Sequence, residues 1–181
     1  MNEAVAEATP TTSRTIALPA LGTPVPHLGG TFWALMRSKP GSGDADYALI
    51  VPHGPEFETA ASWGGDGKDE PAAKCMWDGL ANTRALVASK HEHEAAQFCA
   101  ALTAPGSPEL YLPSLRELKA LFASGCDAFS TEHWYWSSTQ FSRYSAYVQG
   151  FGDGNTGNYG KSWEGGRARA VRRSSLESLI P

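Results

Sequence analysis

Residues 134–173 read WYWSSTQFSRYSAYVQGFGDGNTGNYGKSWEGGRARAVRR, and the fold depends on how this stretch doubles back on itself. Two apolar, aromatic runs, Trp134 to Ser138 and Ala146 to Phe151, and a basic alternating run, Arg167 to Arg173, bracket a polar tract rich in Gly, Asn, Ser and Tyr. Tyr147 and Gln149 alternate with Ala146, Val148 and Gly150, the period-2 signature of a half-buried strand, and aromatic and β-branched side chains suit a pleated surface. In the last run Ala168 and Ala170 share one face and Arg167, Arg169 and Val171 the other; small residues allow close packing, while arginines snorkel or pair. Between the strands, Gly152-Asp153-Gly154-Asn155 and Gly157-Asn158-Tyr159-Gly160 tolerate positive φ and let the chain turn repeatedly. The stretch reads as strand, strand, display loop, strand, and such a loop on a rigid scaffold is where binding residues tend to sit.

Upstream, Tyr111-Leu112-Pro113-Ser114-Leu115-Arg116-Glu117-Leu118 opens a helix with a capping box: Ser114 accepts from the amide three residues on, and Glu117 reaches back. Leu115, Leu118, Leu121 and Phe122 form its apolar stripe. Before it, His91 to Leu102 has Ala95, Phe98, Cys99 and Leu102 at helical spacing. Asp78-Gly79-Leu80-Ala81-Asn82-Thr83 reads as a turn and helix start, with Asn82 or Thr83 as N-cap for Arg84 to Ser89. Residues 53–77 form a long loop anchored by Trp63 and Trp77. Thr31 to Met36 and Asp46 to Val51 pair as an antiparallel hairpin across SKPGSGDA. Residues 15–30 carry Pro19, Pro24 and Pro26, which confine them to an edge or a loop. Strands at both ends and helices between them make the class α+β, with first and last strands adjacent in one sheet.

At 181 residues the chain suits a single domain with a sizeable core. The reading divides it into a flexible N-terminal extension (1–15), a domain (16–176) and a C-terminal tail (177–181). The extension is acidic and Thr/Pro-rich, which fits a frayed terminus or an arm that docks on a partner. Net charge is −4, so a general nucleic-acid binder is disfavoured, and Arg167, Arg169, Arg172 and Arg173 are too few to change that. No apolar run reaches about eighteen residues, and the N-terminus lacks a signal-peptide pattern; synthesis in a cytoplasm without membrane insertion is expected. Cys75, Cys99 and Cys126 show no ligand spacing and read as free, mostly buried thiols.

The runs WYWSSTQ, AYVQGFGDG and RARAVRR, with the earlier DGLANT and YLPSLREL, resemble the Lcl C-terminal-domain family, which is frequent in tailed phages and prophages. The resemblance covers roughly residues 28–173; Glu109-Leu110 stands where the family usually has Asp-Trp. It implies a C-type-lectin-like fold, an antiparallel sheet with two helices and long loops. It also implies a virion location at a tail fibre or baseplate. The partners it implies are a host cell-surface receptor, protein or glycan, and other virion structural proteins met through the N-terminal segment; by analogy with tail-tip proteins, a homotrimer is one possible assembly. A decoration or assembly role, or a prophage accessory role, is the alternative. Some relatives of the fold are diversity-generating-retroelement targets that vary just such a C-terminal loop.

Tyr, Ser, Gly and Asn are the residues of adaptable binding surfaces: flat aromatics bring contact area at low entropic cost and small polar groups adapt their hydrogen bonds. The candidate ligand-binding residues are therefore Tyr144, Tyr147, Asn155, Asn158, Tyr159 and Trp163, with Gln140 and Arg143 beside them. For Tyr147 and Trp163 a core role is the competing reading. No cofactor is expected. His91-Glu92-His93-Glu94 lacks the HExxH spacing that sets two imidazoles one turn apart, and Asp153-Gly154-Asn155 alone supplies too few oxygens for the roughly six to eight ligands of calcium. Ser137 and Ser138 lack a nucleophile elbow, and Cys126 with His133 is a sequence proximity only, so no enzymatic activity is expected.

Overall fold

The computed structural model describes residues 17–104 and 109–180. Residues 1–15, read above as an extension, lie outside them. The described chain forms two sheets and three helices, an α+β architecture. The first sheet has the order β1 (Thr23–Val25), β2 (Gly30–Met36), β3 (Tyr47–Val51), β9 (Arg172–Ser174), all antiparallel. The second has the order β4 (Glu58–Ala60), β8 (Arg167–Arg169), β5 (Trp134–Gln140), β6 (Ser145–Gly150), β7 (Thr156–Gly160). Between β4 and β5 in sequence come α1 (Gly79–Val87), α2 (Glu94–Ala101) and α3 (Leu115–Ala123).

Several expectations need correction. Among the described residues there are three α-helices, not two, and two sheets rather than one; the second sheet is mixed, since β8 runs parallel to β5 with Tyr135 opposite Arg167. The first and last strands share a sheet but occupy its opposite edges; it is β3 that pairs with β9. The run 167–173 is not one strand. β8 ends at Arg169, Ala170 donates to the Phe57 carbonyl, Val171 bridges Tyr111, and the chain then enters the other sheet as β9. Its small residues explain the crossing: Ala168 and Ala170 are buried beside Trp136 in one core, and Val171 is buried beside Leu49 and Tyr135 in the next. Among the arginines, Arg169 donates to Glu58 and the Pro52 carbonyl, and Arg172 to the Leu28 carbonyl. Residues 177–179 form a short helical turn whose Leu179 is buried beside Val25 and Ile50.

The helix starts show which local rules survive tertiary packing. The Ser114 and Glu117 capping box is present, and Leu115, Leu118 and Leu121 are buried while Phe122 stays exposed. In α1 the cap is Asp78, whose Oδ1 accepts from Ala81 N at 2.9 Å, so the helix begins earlier than Asn82 or Thr83. Those two are interior ties instead. Asn82 exchanges hydrogen bonds with the backbone of Cys75, and Thr83 Oγ1 accepts from Leu112 N. Replacing Asp78 by alanine removes the cap and the 3.3 Å pairing with Arg173, and is expected to lower unfolding stability by about 1 kcal/mol. Urea denaturation checks this, and Asp78→Asn, which keeps a capping oxygen, should recover most of the loss.

Candidate functional site

The strands of the organising stretch form two successive hairpins, and side chains that face each other across them share a face. In β6 paired with β7, Tyr147 lies opposite Asn158 and Gln149 opposite Thr156; on the other face Ala146 lies opposite Tyr159 and Val148 opposite Gly157. Within the expected display loop, Thr156–Gly160 form a strand, and of its glycines only Gly154 has positive φ. Pairing to β6 supplies the order that a Gly- and Asn-rich sequence lacks on its own.

The eight candidate residues do not converge. Tyr159 stacks on Trp163 with ring centroids 4.4 Å apart, and Trp163 meets Trp136 edge-on at 5.6 Å. Together with Trp134 this is an aromatic ladder closing the core beneath the sheet. Trp163 therefore belongs chiefly to packing, and Tyr159 is only its half-exposed end. Asn155 sits in the β6–β7 turn and bonds to Asp153, away from the rest. Gln140 is buried, which overturns its assignment as an exposed contact. Its Oε1 accepts from Lys161 Nζ and from Glu70 N, and its Nε2 donates to Asp69.

Gln140 belongs to a polar hub that sequence reasoning missed altogether. Lys161 is fully buried, donates to the Lys68 carbonyl at 2.7 Å, and places its ammonium 4.5 Å from the centre of the Trp63 ring. Burial pushes its pKa down to about 8, partly opposed by the nearby Glu70 and Asp69. His93 is buried edge-on to Trp63, with Nε2 3.1 Å from Glu70 Oε1. Despite partial burial, Glu70 is held below the ordinary carboxyl range by the Ser89 hydroxyl and His93. The hub pins the 61–74 loop under the sheet. A lone Lys after a Gly-rich tract carries no sequence signal of burial, because its partners come from chain segments far away.

The most exposed aromatic residues of the stretch gather at the β5–β6 turn. Phe141 is 51% exposed and Tyr144 61%, Arg143 lies over the Tyr144 ring, and Phe141 meets Tyr147 edge-on at 5.1 Å. Asn158, opposite Tyr147, extends the same face. Arg143 Nε donates to the Gly67 carbonyl, which fixes the turn against the 61–74 loop. Phe141 went unselected in the sequence, although a large apolar residue directly before a Ser-Arg-Tyr-Ser turn is a signal that could have flagged it. A separate groove of about 670 Å³ is lined by Leu35, Met76, Trp77, Arg116 and Lys119, with the Arg116 guanidinium 3.5 Å over the Trp77 ring.

The residues weighed for catalysis are dispersed. His133 lies against Arg167, and Cys126 is buried beside Phe129, with its thiol pushed up to about 12 by desolvation. Ser137 donates to the Tyr147 carbonyl, while the Ser138 hydroxyl accepts from Asn82. Among the described residues no group of three His, Cys, Asp or Glu side chains is arranged to hold a metal ion, and no helix is long and apolar enough to cross a membrane. No family model and no curated protein matches the chain.

Proposed function

We propose that the chain is a ligand-binding module of the phage virion type, recognising a host-surface receptor, protein or glycan, through the β5–β6 turn and the adjoining face of β6 and β7. One observation carries the reading: Phe141, Arg143 and Tyr144 stand exposed, with the half-buried Tyr147 beside them, on a turn held by a five-stranded sheet, whereas Gln140 of the same stretch is buried and Trp163 packs against the core. Rigid aromatics lose little entropy on binding, and an arginine beside a tyrosine adds a charged hydrogen-bond donor, the composition of interface hot spots. The resemblance noted in the sequence supplies the biological setting, a tail fibre or baseplate.

The test is binding of purified protein to intact host-type cells. A Phe141→Ala, Tyr144→Ala, Tyr147→Ala variant with an unchanged circular dichroism spectrum is expected to bind at least about tenfold more weakly than the wild type. Wild-type binding that survives in this variant moves the receptor contact to the Trp77 groove. No binding by either protein removes the receptor reading and leaves a decoration or assembly role.

A further inference from the structure

We propose that β7 is a self-pairing edge through which two copies of this chain join their five-stranded sheets into one continuous sheet. The inference does not depend on the receptor reading. β7 is the last strand of its sheet, with no neighbour beyond it among the described residues. The direction of its free groups follows from the ladder. Lys161 N donates to the Tyr144 carbonyl and Gly150 N to the Asn155 carbonyl, each at 2.9 Å, and paired positions alternate along an antiparallel ladder. Residues 157 and 159 therefore turn their backbone groups toward β6. Thr156, Asn158 and Gly160 turn theirs outward, and among the described residues only the Gly160 carbonyl of these is engaged, accepting from Trp163 N with a lone pair to spare.

Proteins usually protect such an edge with charge, proline, a bulge or a covering segment. The sequence Thr-Gly-Asn-Tyr-Gly carries no charge and no proline, its pairing to β6 runs without a register shift, and four of its five residues are exposed. The opposite edge of the sheet differs: β4 is three residues long and begins with Glu58, which pairs with Arg169.

The occupant is a second copy because the strand is complementary to itself. An antiparallel pairing centred on Asn158 sets Asn158 opposite its own counterpart, Thr156 opposite Gly160, and Tyr159 opposite Gly157. Every large side chain meets a glycine across the new seam, so no pair of bulky groups collides. The outward groups of Thr156, Asn158 and Gly160 then meet donor to acceptor, and the two Asn158 amides can bond to each other. The partnership is isologous, the usual form of a homodimer interface. A single strand pair buries less than the roughly 1,200 Å² of a standard interface, so association is concentration-dependent. Two copies of the β5–β6 turn would then be borne by one sheet, which strengthens attachment to any surface carrying repeated ligands.

Sedimentation velocity on the full chain over a concentration series tests the proposal, using Asn158→Lys, Asn158→Glu and their equimolar mixture. The Asn158 side chain is exposed, so both variants should keep the wild-type thermal melt and circular dichroism spectrum. Asn158→Pro removes the central outward N–H at an edge position that tolerates proline, and gives a third reading. The wild type is expected to shift with concentration from the 19.3 kDa chain mass to twice that mass. Each charged variant should dimerise at least about tenfold more weakly because like charges meet across the seam, and the mixture should recover the dimer. A wild type that stays monomeric up to its solubility limit, a trimeric mass, a charged variant as tightly dimeric as the wild type, or a mixture that stays monomeric would each overturn it.

Discussion

Replacing Glu117 by alanine is expected to lower the free energy of unfolding by about 4 kcal/mol. The carboxyl is fully buried, and its Oε1 accepts from the hydroxyls of Tyr47 at 2.8 Å and Tyr111 at 2.7 Å, while Oε2 accepts from Ser114 N at 2.7 Å. One side chain thus fastens β3, the segment leading into α3, and the start of α3 itself. Gly79 makes the arrangement possible, since a Cβ there would stand 2.3 Å from Glu117 Oε2. Without the carboxyl, the buried Tyr111 hydroxyl and the cap amide lose their acceptor and Tyr47 keeps only the Trp77 carbonyl at 3.3 Å; each buried group so stranded costs about 1 to 3 kcal/mol before the cavity is counted. Urea denaturation of wild type and variant measures the difference; a loss below about 1 kcal/mol would show that the carboxyl is not the fastening.

Glu117 also has a pH signature with a definite sign. Burial raises its pKa above the ordinary carboxyl range, against the opposing pull of Ser114, Tyr111 and Tyr47. Its contribution to stability is therefore full below the unfolded value of about 4.3 and declines as pH rises through the folded value. Glu117→Gln should lack that decline while keeping an acceptor for the tyrosines.

The second large effect is a rise in stability with pH between about 8 and about 10.5 that originates at Lys161. In that window the unfolded chain keeps a proton that the folded chain has released, so raising the pH favours folding. At about 1.4 kcal/mol per pH unit the gain is on the order of 2 to 3 kcal/mol. Lys161→Met keeps an unbranched chain against Trp63 and removes the buried charge. Its stability near pH 7 should equal or exceed that of the wild type, as replacement of a buried charge by an apolar group of similar size often does. Comparing denaturation midpoints of both proteins across the window isolates the effect, and parallel curves would refute the assignment. The two positions act through different cores and share no partner, so their effects should add.

These two residues mark where sequence reasoning stops. The Ser114 and Glu117 capping box was legible, because a cap is a relation between residues three apart and needs nothing else. That Glu117 also receives two tyrosines from elsewhere was not legible, since Tyr47 is seventy positions away. Phe141 and Tyr144 differ little from Tyr159 and Trp163 as sequence, yet the first two stand exposed at a turn, while the half-exposed Tyr159 stacks on Trp163 and Trp163 packs against the core. Only pairing decides that: the register of β6 against β7 assigns each side chain to a face, and a one-residue slip would exchange the faces. For the same reason the Gly- and Asn-rich tract reads locally as loop and becomes a strand once β6 lies beside it.

The sequence by itself determined the α+β class, the Thr31 to Val51 hairpin, the strands starting near Trp134 and Ala146, and the capped start of α3, all set by short-range periodicity and local hydrogen bonding. Tertiary structure alone decided that residues 167–173 serve two sheets, that Gln140, His93 and Lys161 are interior, and that the other seven candidate residues separate into a surface cluster, an aromatic ladder and a distant turn. The physical reason is that burial and pairing are properties of contacts between distant segments, and a polar side chain carries no local mark of the partners that will desolvate it.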